Sequence, residues 1–348
     1  MEIFEAIRVL FLSTLSFVIA LGLTPIVSRL LHKYQFTKKN IRSAETAPIF
    51  SKLHSGKSST PTMGGVIIWF TVAALALIFL VFNFLFDGFW GYLNFVNRAE
   101  TYLPLAAMLI AGLLGLADDV LGILKIGPNG GGLSIKQKLA LYTSVAALGA
   151  WWFYFRLDWD VLYIPFLGYY SISWWYIPFF MFVLIATAFS SNETDGLDGL
   201  AGGVLLFAFV SLTAVAFILG RFHLAAFGGV IIGALLAFLW FNIYPARFFM
   251  GDTGSMSLGI TLGVVAMLTN TALLLPFFAI ILIIESGSVI IQTLSKKFRK
   301  KKIFLSTPIH HHFEAIGWPE TKVTMRFWIL SAIASVLGLI IFFLARFL

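Results

Sequence analysis

Ten long apolar stretches, separated by short polar loops, dominate the sequence. Because the hydrocarbon core of a bilayer is about 30 Å thick, a spanning helix needs roughly 20 apolar residues. The stretches cover residues 3–31, 63–86, 102–122, 134–155, 174–191, 199–219, 224–243, 254–270, 272–295 and 326–347. The pattern predicts an all-α polytopic membrane protein of about ten spans, with residues 1–348 forming a single domain.

The break between the eighth and ninth stretches, around Thr269-Asn270-Thr271, is short. One long helix through 254–295 is the alternative, and it would change the parity of the topology. The charges argue against it. With ten spans, the odd-numbered loops carry 19 of the 24 Lys and Arg residues, including every lysine. Because cytoplasmic loops are enriched in Lys and Arg, the odd loops are predicted to be cytoplasmic and both termini extracytoplasmic.

Composition supports the membrane assignment. Hydrophobic residues make up 59% of the chain and charged residues 11%, against about 25% charged in soluble domains. The absence of cysteine excludes disulfides and thiolate metal sites. The first residues include Glu2 and Glu5 with only Arg8 for positive charge, a polarity that favours a retained span over a cleaved signal peptide. The basic run 296–302 is more typical of an anchor at lipid headgroups than of a nucleic-acid patch, so no nucleic-acid partner is expected.

Unusual polar residues converge on the predicted cytoplasmic face, which places the active site in the cytoplasmic loops. Ionisable groups near a membrane usually mark function because they are costly there. Asp118 and Asp119 end the third stretch. Adjacent carboxylates repel each other, and negative charge opposes the dipole at a helix C-terminus. A compensating positive group is therefore expected, either Mg²⁺ or a basic side chain.

Two further segments favour ligand binding. Residues 192–199 hold three acidic groups and an asparagine but no Lys or Arg, so this loop needs hydrogen-bond donors or a metal. Residues 251–255 (GDTGS) open a predicted helix, where free N–H groups can hold phosphate and a carboxylate can hold Mg²⁺. An ordinary turn is the alternative, since Gly, Asp and Ser are turn formers.

The last cytoplasmic loop contains His310, His311 and His312. Three consecutive histidines cannot all face one ion on a regular helix, so donation to phosphate oxygens is favoured over a zinc site. Glu285 lies inside an apolar stretch. A protonated or interhelically bonded structural role is at least as well supported for it as catalysis.

Taken in order, these segments resemble the phospho-N-acetylmuramoyl-pentapeptide transferase family of the polyprenyl-phosphate N-acetylhexosamine-1-phosphate transferases. Residues 60–65 (TPTMGG), 308–314 (PIHHHFE) and 317–320 (GWPE) are specific to the family, whereas Asp118-Asp119 and 251–255 are shared with the superfamily. The resemblance implies a Mg²⁺-dependent transfer of phospho-MurNAc-pentapeptide from UDP-MurNAc-pentapeptide to undecaprenyl phosphate. It also implies a multi-pass protein of the bacterial cytoplasmic (inner) membrane; whether it forms a homodimer stays open.

The resemblance assigns residue roles as well. Asp252 matches the Mg²⁺ ligand, and Asp118 and Asp119 match the paired catalytic carboxylates. The histidines of the last loop match residues important for activity, and two basic positions near the phosphates match Lys57 and Lys138. The residues that match the family's uridine pocket are Asn192, Asp195, Asp198, Asn242 and Phe249. Two positions depart from the family pattern: Glu193, usually apolar, and Phe189, usually asparagine.

Three alternatives remain at this point. The first concerns the donor sugar, because related enzymes use UDP-GlcNAc. Direct attack by the lipid phosphate competes with a two-step route in which one aspartate is a covalent nucleophile. The third alternative is not an enzyme but an ion transporter with acidic ligands. Transporters place such sites near the bilayer midplane and often show repeats, and neither feature is visible here.

Overall fold

The computed structural model describes residues 2–37, 60–86, 88–96, 98–128 and 131–347 of the 348-residue protein. Within this part the chain is mostly helical. The long helices are α1 (Glu2–Lys33), α2 (Val66–Leu85), α4 (Ala99–Ile123), α5 (Ile135–Arg156), α6 (Tyr176–Thr194), α7 (Leu200–Ile218), α8 (Phe222–Asn242), α9 (Gly251–Leu268), α11 (Ile280–Arg299) and α13 (Glu320–Phe347). Three short helices connect them: α3 (Phe89–Tyr92), α10 (Leu275–Phe278) and α12 (Ile309–Ala315).

These elements define an integral membrane protein. Among the described residues, eight helices are long and apolar enough to cross a bilayer, or nine if the bent pair formed by 272–278 and Ile280–Arg299 is one span. Helix α9 ends at Leu268, which excludes one long helix through 254–295. Helix α5 is not among these eight or nine, so the ten-span count and the location of the termini stay predictions.

Helix α9 lies at the centre of the bundle. All 18 of its residues are buried, and it packs against α4 and α6. Small residues allow the close approach, as in many membrane helix pairs. A Cβ on Gly259 would lie 2.8 Å from the Cα of Ala188, and one on Gly115 would lie 2.3 Å from the carbonyl oxygen of Asp252. The first turn of α9 is therefore held directly against α4.

Helix α8 spans the bundle beside α1 and α7. It is also mostly buried, and glycines again bring backbones together: a Cβ on Gly233 would lie 2.0 Å from the carbonyl oxygen of Ser13. Ser16 of α1 donates a hydrogen bond to the carbonyl of Val230 at 2.6 Å. Because α8 runs from Phe222 to Asn242, its two ends are about 30 Å apart. His223 at one end lies beside Arg8, and Asn242 at the other end accepts a hydrogen bond from the Gly199 amide.

Two features were not expected from the sequence. A small antiparallel hairpin, β1 (Val161–Ile164) and β2 (Gly168–Ser171), lies between α5 and α6, with Val161 opposite Ser171. It is held at the end of α9, because Asn270 accepts a hydrogen bond from the Tyr163 amide at 2.9 Å. The second feature is the 89° bend between α10 and α11. The stretch 272–295 is therefore helical but not one straight helix.

Candidate active site

A lysine ammonium joins carboxylates of two other helices. Lys138, in the first turn of α5, places Nζ 2.7 Å from Oδ2 of Asp118 and 3.0 Å from Oδ1 of Asp252. Asp118 belongs to the last turns of α4, and Asp252 to the first turn of α9. Asp118 also accepts a hydrogen bond from the Leu133 amide. A basic partner of the kind predicted for the Asp118-Asp119 pair is therefore present for Asp118, and Lys138 supplies it, whereas the printed partner of Asp119 is a backbone amide.

Asp119 faces the same helix start. Its Oδ2 accepts a hydrogen bond from the Thr253 amide at 3.0 Å, where negative charge is favourable to the helix dipole. The Thr253 hydroxyl donates to the carbonyl of Gly112 at 2.9 Å, and Nε1 of Trp69 donates to that hydroxyl at 3.1 Å. The beginning of α9 is thus fixed from two sides, and Asp119, which is 0% exposed, is part of the fixation.

Asn192 and Asp195 connect the end of α6 to this cluster. The side-chain amide of Asn192 donates to Oδ1 of Asp252, and also to the hydroxyl of Ser255 at 3.0 Å. Oδ2 of Asp195 accepts from the Gly251 amide at 2.9 Å. The sequence predicted that the acidic loop needs hydrogen-bond donors, and a backbone amide at a helix start is one of them.

Gly251 makes the tight junction possible. Its φ is +74°, a conformation that side chains disfavour, and an added Cβ would lie 2.6 Å from both Oδ2 of Asp119 and the Thr62 hydroxyl. Residues 61–65 run alongside this junction. The Gly64 amide donates to the carbonyl of Phe249, and the Phe249 amide donates to the carbonyl of Pro61, both at 2.8 Å. The prediction that 251–255 opens a helix is confirmed.

Asp198 and Asn242 hold the neighbouring loops. Asn242 accepts from the Gly199 amide at 3.1 Å and donates to the carbonyl of Phe248 at 2.8 Å. Oδ2 of Asp198 accepts from the Ala246 amide at 3.0 Å. Both side chains are buried. They bring the loop after α6 and the loop after α8 together beside Phe249, which is half-buried. Their uridine-binding roles stay predictions.

The three histidines of α12 have three different partners. Nδ1 of His310 lies 2.9 Å from Oε2 of Glu285, and Nδ1 of His311 lies 2.8 Å from Oε2 of Glu314. Nδ1 of His312 accepts from the Leu305 amide at 3.2 Å. The interhelical bond considered for Glu285 is therefore present, because Glu285 belongs to α11 and His310 to α12.

His310 also contacts the loop after α6. A Cβ on Gly196 would lie 2.3 Å from its Nε2, so the imidazole fills the space that a side chain at this glycine would occupy. His310 and Glu285 are both 0% exposed. In this conformation His310 supports the loop rather than facing an open cavity, and its predicted donation to phosphate oxygens stays a prediction.

The two positions that depart from the family pattern lie close to the cluster. Oε2 of Glu193 accepts a hydrogen bond from the Ser286 hydroxyl at 2.6 Å, so Glu193 links α6 to α11. The Ser286 hydroxyl is also 2.8 Å from that of Ser190. Phe189 is half-buried and packs against the core. Glu193 therefore has a defined protein partner, the Ser286 hydroxyl, at the end of α6.

The residues present fit a Mg²⁺ ion. Mg²⁺ in phosphate-transferring sites is bound by one or two carboxylates plus waters and substrate oxygens. Asp252 and Asp118 already share one cationic group, Lys138. Within the described ranges, no group of three His, Asp or Glu side chains is arranged around a metal position, so Mg²⁺ binding stays a prediction that rests on the chemistry of Asp252 and Asp118. The other basic residue predicted for the site, Lys57, lies outside the described residues.

Some supporting residues were not singled out from the sequence. Ser255 accepts from Asn192, and Oε1 of Glu320 accepts from the Asp198 amide at 2.6 Å. Ser255 lies in the motif 251–255 and Glu320 in the motif 317–320, so membership of these motifs could have identified both residues. Trp69 had no such signal, because its bond to Thr253 joins positions that are 184 residues apart.

Comparison with known proteins gives the class and then the family. The family model described as glycosyl transferase family 4 matches residues 101–270, a region that includes the aspartates and Lys138. Fold and site thus define a membrane-embedded transferase of this class. Three proteins named phospho-N-acetylmuramoyl-pentapeptide-transferase are similar to the chain over nearly its full length. The one from Clostridium novyi (strain NT) is 38% identical over 326 residues, 93% of this chain and 93% of that protein.

A second relative, from Clostridium perfringens (strain ATCC 13124), is 38% identical over 337 residues, 96% of this chain and 97% of that protein. A third, from Desulforamulus reducens, is 36% identical over 335 residues, 94% and 93% of the two chains. The chain belongs to the phospho-N-acetylmuramoyl-pentapeptide transferase family. The resemblance inferred from its motifs is confirmed, and the protein is a phosphoglycosyl transferase.

Proposed function

We propose that this enzyme transfers phospho-MurNAc-pentapeptide from UDP-MurNAc-pentapeptide to undecaprenyl phosphate at the bacterial cytoplasmic membrane. Its products would be UMP and lipid I, an intermediate of peptidoglycan synthesis. The observation that carries the proposal is the contact of Lys138 with Asp118 and Asp252 at the start of the buried helix α9.

The reaction needs little acid–base help. A phosphate monoester has a second pKa of about 6, so the lipid phosphate is largely a dianion at neutral pH. One of its oxygens attacks the sugar-linked phosphorus of the donor. A new P–O bond forms to that phosphorus, and the P–O bond to UMP breaks. UMP leaves with the electron pair, so no proton has to be moved in the step itself.

The main barrier is charge repulsion between a dianion and a diphosphate. In this proposal Lys138 stabilises the negative charge that develops on the departing UMP. The dipole of α9 adds partial positive charge at the same end, although the Gly251 and Thr253 amides already donate to Asp195 and Asp119. When bound by Asp252, with Asp118 beside it, Mg²⁺ would supply further positive charge and align the phosphates. Asp118 and Asp119 have positioning roles in this scheme.

Two observations favour direct attack over a covalent aspartyl intermediate. Asp119 is fully buried and bonded to the Thr253 amide, which suits a structural anchor. Both oxygens of Asp118 already have partners, the Leu133 amide and Lys138. Purified enzyme mixed with the donor alone should therefore release no stoichiometric burst of UMP. A burst equal to the enzyme concentration would overturn direct attack while leaving the overall transfer intact.

The substrate assignment can be tested on the lipid product. Purified enzyme in detergent would be incubated with undecaprenyl phosphate and either UDP-MurNAc-pentapeptide or UDP-GlcNAc, with and without Mg²⁺. Mass spectrometry of the lipid fraction should show a sugar-bearing product only with UDP-MurNAc-pentapeptide and Mg²⁺, and that product should be a pyrophosphate-linked muramoyl-pentapeptide lipid. A GlcNAc-bearing lipid would move the donor sugar and keep the chemistry. No lipid product from either donor would contradict the proposal.

A further inference from the structure

Tyr142 is a buried tyrosine close to the catalytic cluster that the proposed function does not use. It lies on α5 four residues after Lys138, so the two side chains share one helix face about 6 Å apart at their Cβ atoms. Tyr142 begins the buried stripe of α5 that continues through Ala146 and Ala150. Because helical side chains lean towards the N-terminus, the phenol extends towards the turn that carries Lys138.

The Tyr142 hydroxyl has no hydrogen-bond partner among the described residues, although Tyr142 is only 1% exposed. A buried polar group without a partner is destabilising, and most buried hydroxyls in folded proteins have one. A buried hydroxyl without a partner in the protein is explained if a bound ligand supplies the acceptor. Tyrosine rather than phenylalanine at this position is informative, because the ring alone would fill the same space.

The charges around this hydroxyl point to the active site. The carboxylates that act on it electrostatically are those of Asp252, Asp118 and Glu193, from α9, α4 and α6. Tyr176 provides the contrast. It is 0% exposed and its hydroxyl also has no partner in the described part of the chain, but it begins α6, whereas Asn192 and Glu193 lie at the other end of that helix. Two similar phenols thus differ in whether the acidic cluster is close by.

We propose that the Tyr142 hydroxyl is a substrate-binding group, donating a hydrogen bond to a phosphate oxygen of the nucleotide held beside Lys138 and Asp252. A phenol suits this task because it donates without adding charge to a site that already balances carboxylates against an ammonium. The acidic side chains cannot serve, since ionised carboxylates only accept. This inference rests on the proposed function, because it assumes that a nucleotide diphosphate occupies the cluster.

The test compares Tyr142→Phe, Tyr176→Phe and the unmodified enzyme in detergent. Binding of UDP and of uridine would be measured by calorimetry, and kcat and KM would be measured with the proposed donor. Removal of a hydrogen bond to a charged group should weaken UDP binding about 10- to 100-fold in Tyr142→Phe. Uridine lacks phosphate, so its affinity should change less than about twofold. Tyr176→Phe should alter neither.

Equal losses for UDP and uridine in Tyr142→Phe would overturn the proposal, because the phosphate would then not be the acceptor. Unchanged UDP binding would overturn it as well. The melting temperature of Tyr142→Phe should not fall below that of the parent, since removing an unpartnered buried hydroxyl breaks no hydrogen bond within the protein. The two proposals can fail separately. If Tyr142→Phe loses affinity for UDP but not for uridine, and the unmodified enzyme transfers no phospho-sugar to the lipid, this inference is upheld and the proposed function is refuted.

Discussion

Helix α8 joins two clusters of buried charge that are assembled differently. At its first turn, Arg8 is 3.0 Å from Glu5, donates to the carbonyl of Asn94 at 2.8 Å and lies 3.1 Å from Nδ1 of His223. At its last residue, Asn242, the loops of the active site begin. There the Lys138 ammonium serves two carboxylates, those of Asp118 and Asp252, whereas the Arg8 guanidinium serves one.

The difference separates structure from chemistry. The Arg8 cluster pairs one cation of α1 with one anion of the same helix and with two neutral acceptors, one from the 89–96 segment and one from α8, which is enough to fasten these three segments together. The Lys138 cluster gives one cation to two carboxylates, so it can accept further positive charge and the phosphates that accompany it. Disruption of either cluster should therefore lower stability, but only disruption of the second should lower the rate of catalysis.

Substitution of Lys138 should have the largest effect. Lys138→Met removes the shared partner of two buried carboxylates, so the transfer rate should fall at least about 100-fold and the unfolding free energy by about 3 kcal/mol. Raised Mg²⁺ should restore part of the stability. Lys136→Met, at an exposed position of the same turn, is the control and should change neither quantity. A stable but inactive Lys138→Met would show that its ion pairs are not structural.

Arg8→Met tests the other cluster. Removing a guanidinium that is 3% exposed leaves Glu5 and the carbonyl of Asn94 without their partner. The unfolding free energy should fall by about 3 kcal/mol, while the transfer rate per folded molecule stays within about twofold. Denaturation in detergent and the transfer assay measure the two quantities. Arg98→Met, exposed near the same end, is the matched control. A large loss of rate in folded Arg8→Met would contradict the division between the clusters.

Substitution of Glu285, at the edge of the active site, should have a smaller effect on the transfer rate and on stability. Glu285→Leu removes the acceptor for His310, which packs against Gly196, so the loop 195–199 should loosen. The transfer rate should fall about tenfold, and the unfolding free energy by about 2 kcal/mol because the imidazole loses its buried partner. Glu285→Gln retains an acceptor and should lose less than half as much stability. Identical behaviour of the two variants would show that the hydrogen bond to His310 is unimportant.

Trp69→Phe should have the smallest effect. It removes the 3.1 Å hydrogen bond to the Thr253 hydroxyl but keeps an aromatic ring in place. A loss of about 1 kcal/mol in unfolding free energy is expected, with less than a threefold change in rate. In a Thr253→Val background the same substitution should lose less, because the acceptor is already absent. Additive losses would show that the bond does not contribute.

Much of the fold could be predicted because lipid requires continuous apolar helices. The long stretches, the helix break near Asn270 and the helix start at Gly251 all follow from local sequence. The bend of 89° before Ile280 and the hairpin near Val161 did not, because each depends on contacts with distant helices. Four-residue strands also carry too little pattern to be separated from the flanks of a span.

The candidate site was predicted as residue types rather than as contacts. Repulsion between Asp118 and Asp119 correctly required a cation, but nothing local identified Lys138 as the side chain that also reaches Asp252. That contact joins helices far apart in the chain. The histidines were found as a motif, and their separate partners, such as Glu285 for His310, became visible only in the folded structure.

The most direct measurement is UMP release by the intact enzyme and by Asp252→Asn, with UDP-MurNAc-pentapeptide, undecaprenyl phosphate and Mg²⁺. The substitution keeps the shape of the side chain and leaves an oxygen that can accept from Asn192, so folding should be retained. The account predicts rapid release by the parent, abolished by EDTA, and a rate at least about 1,000-fold lower in the variant. Release by Asp252→Asn at the parental rate would contradict the assignment of catalysis to the Lys138 cluster.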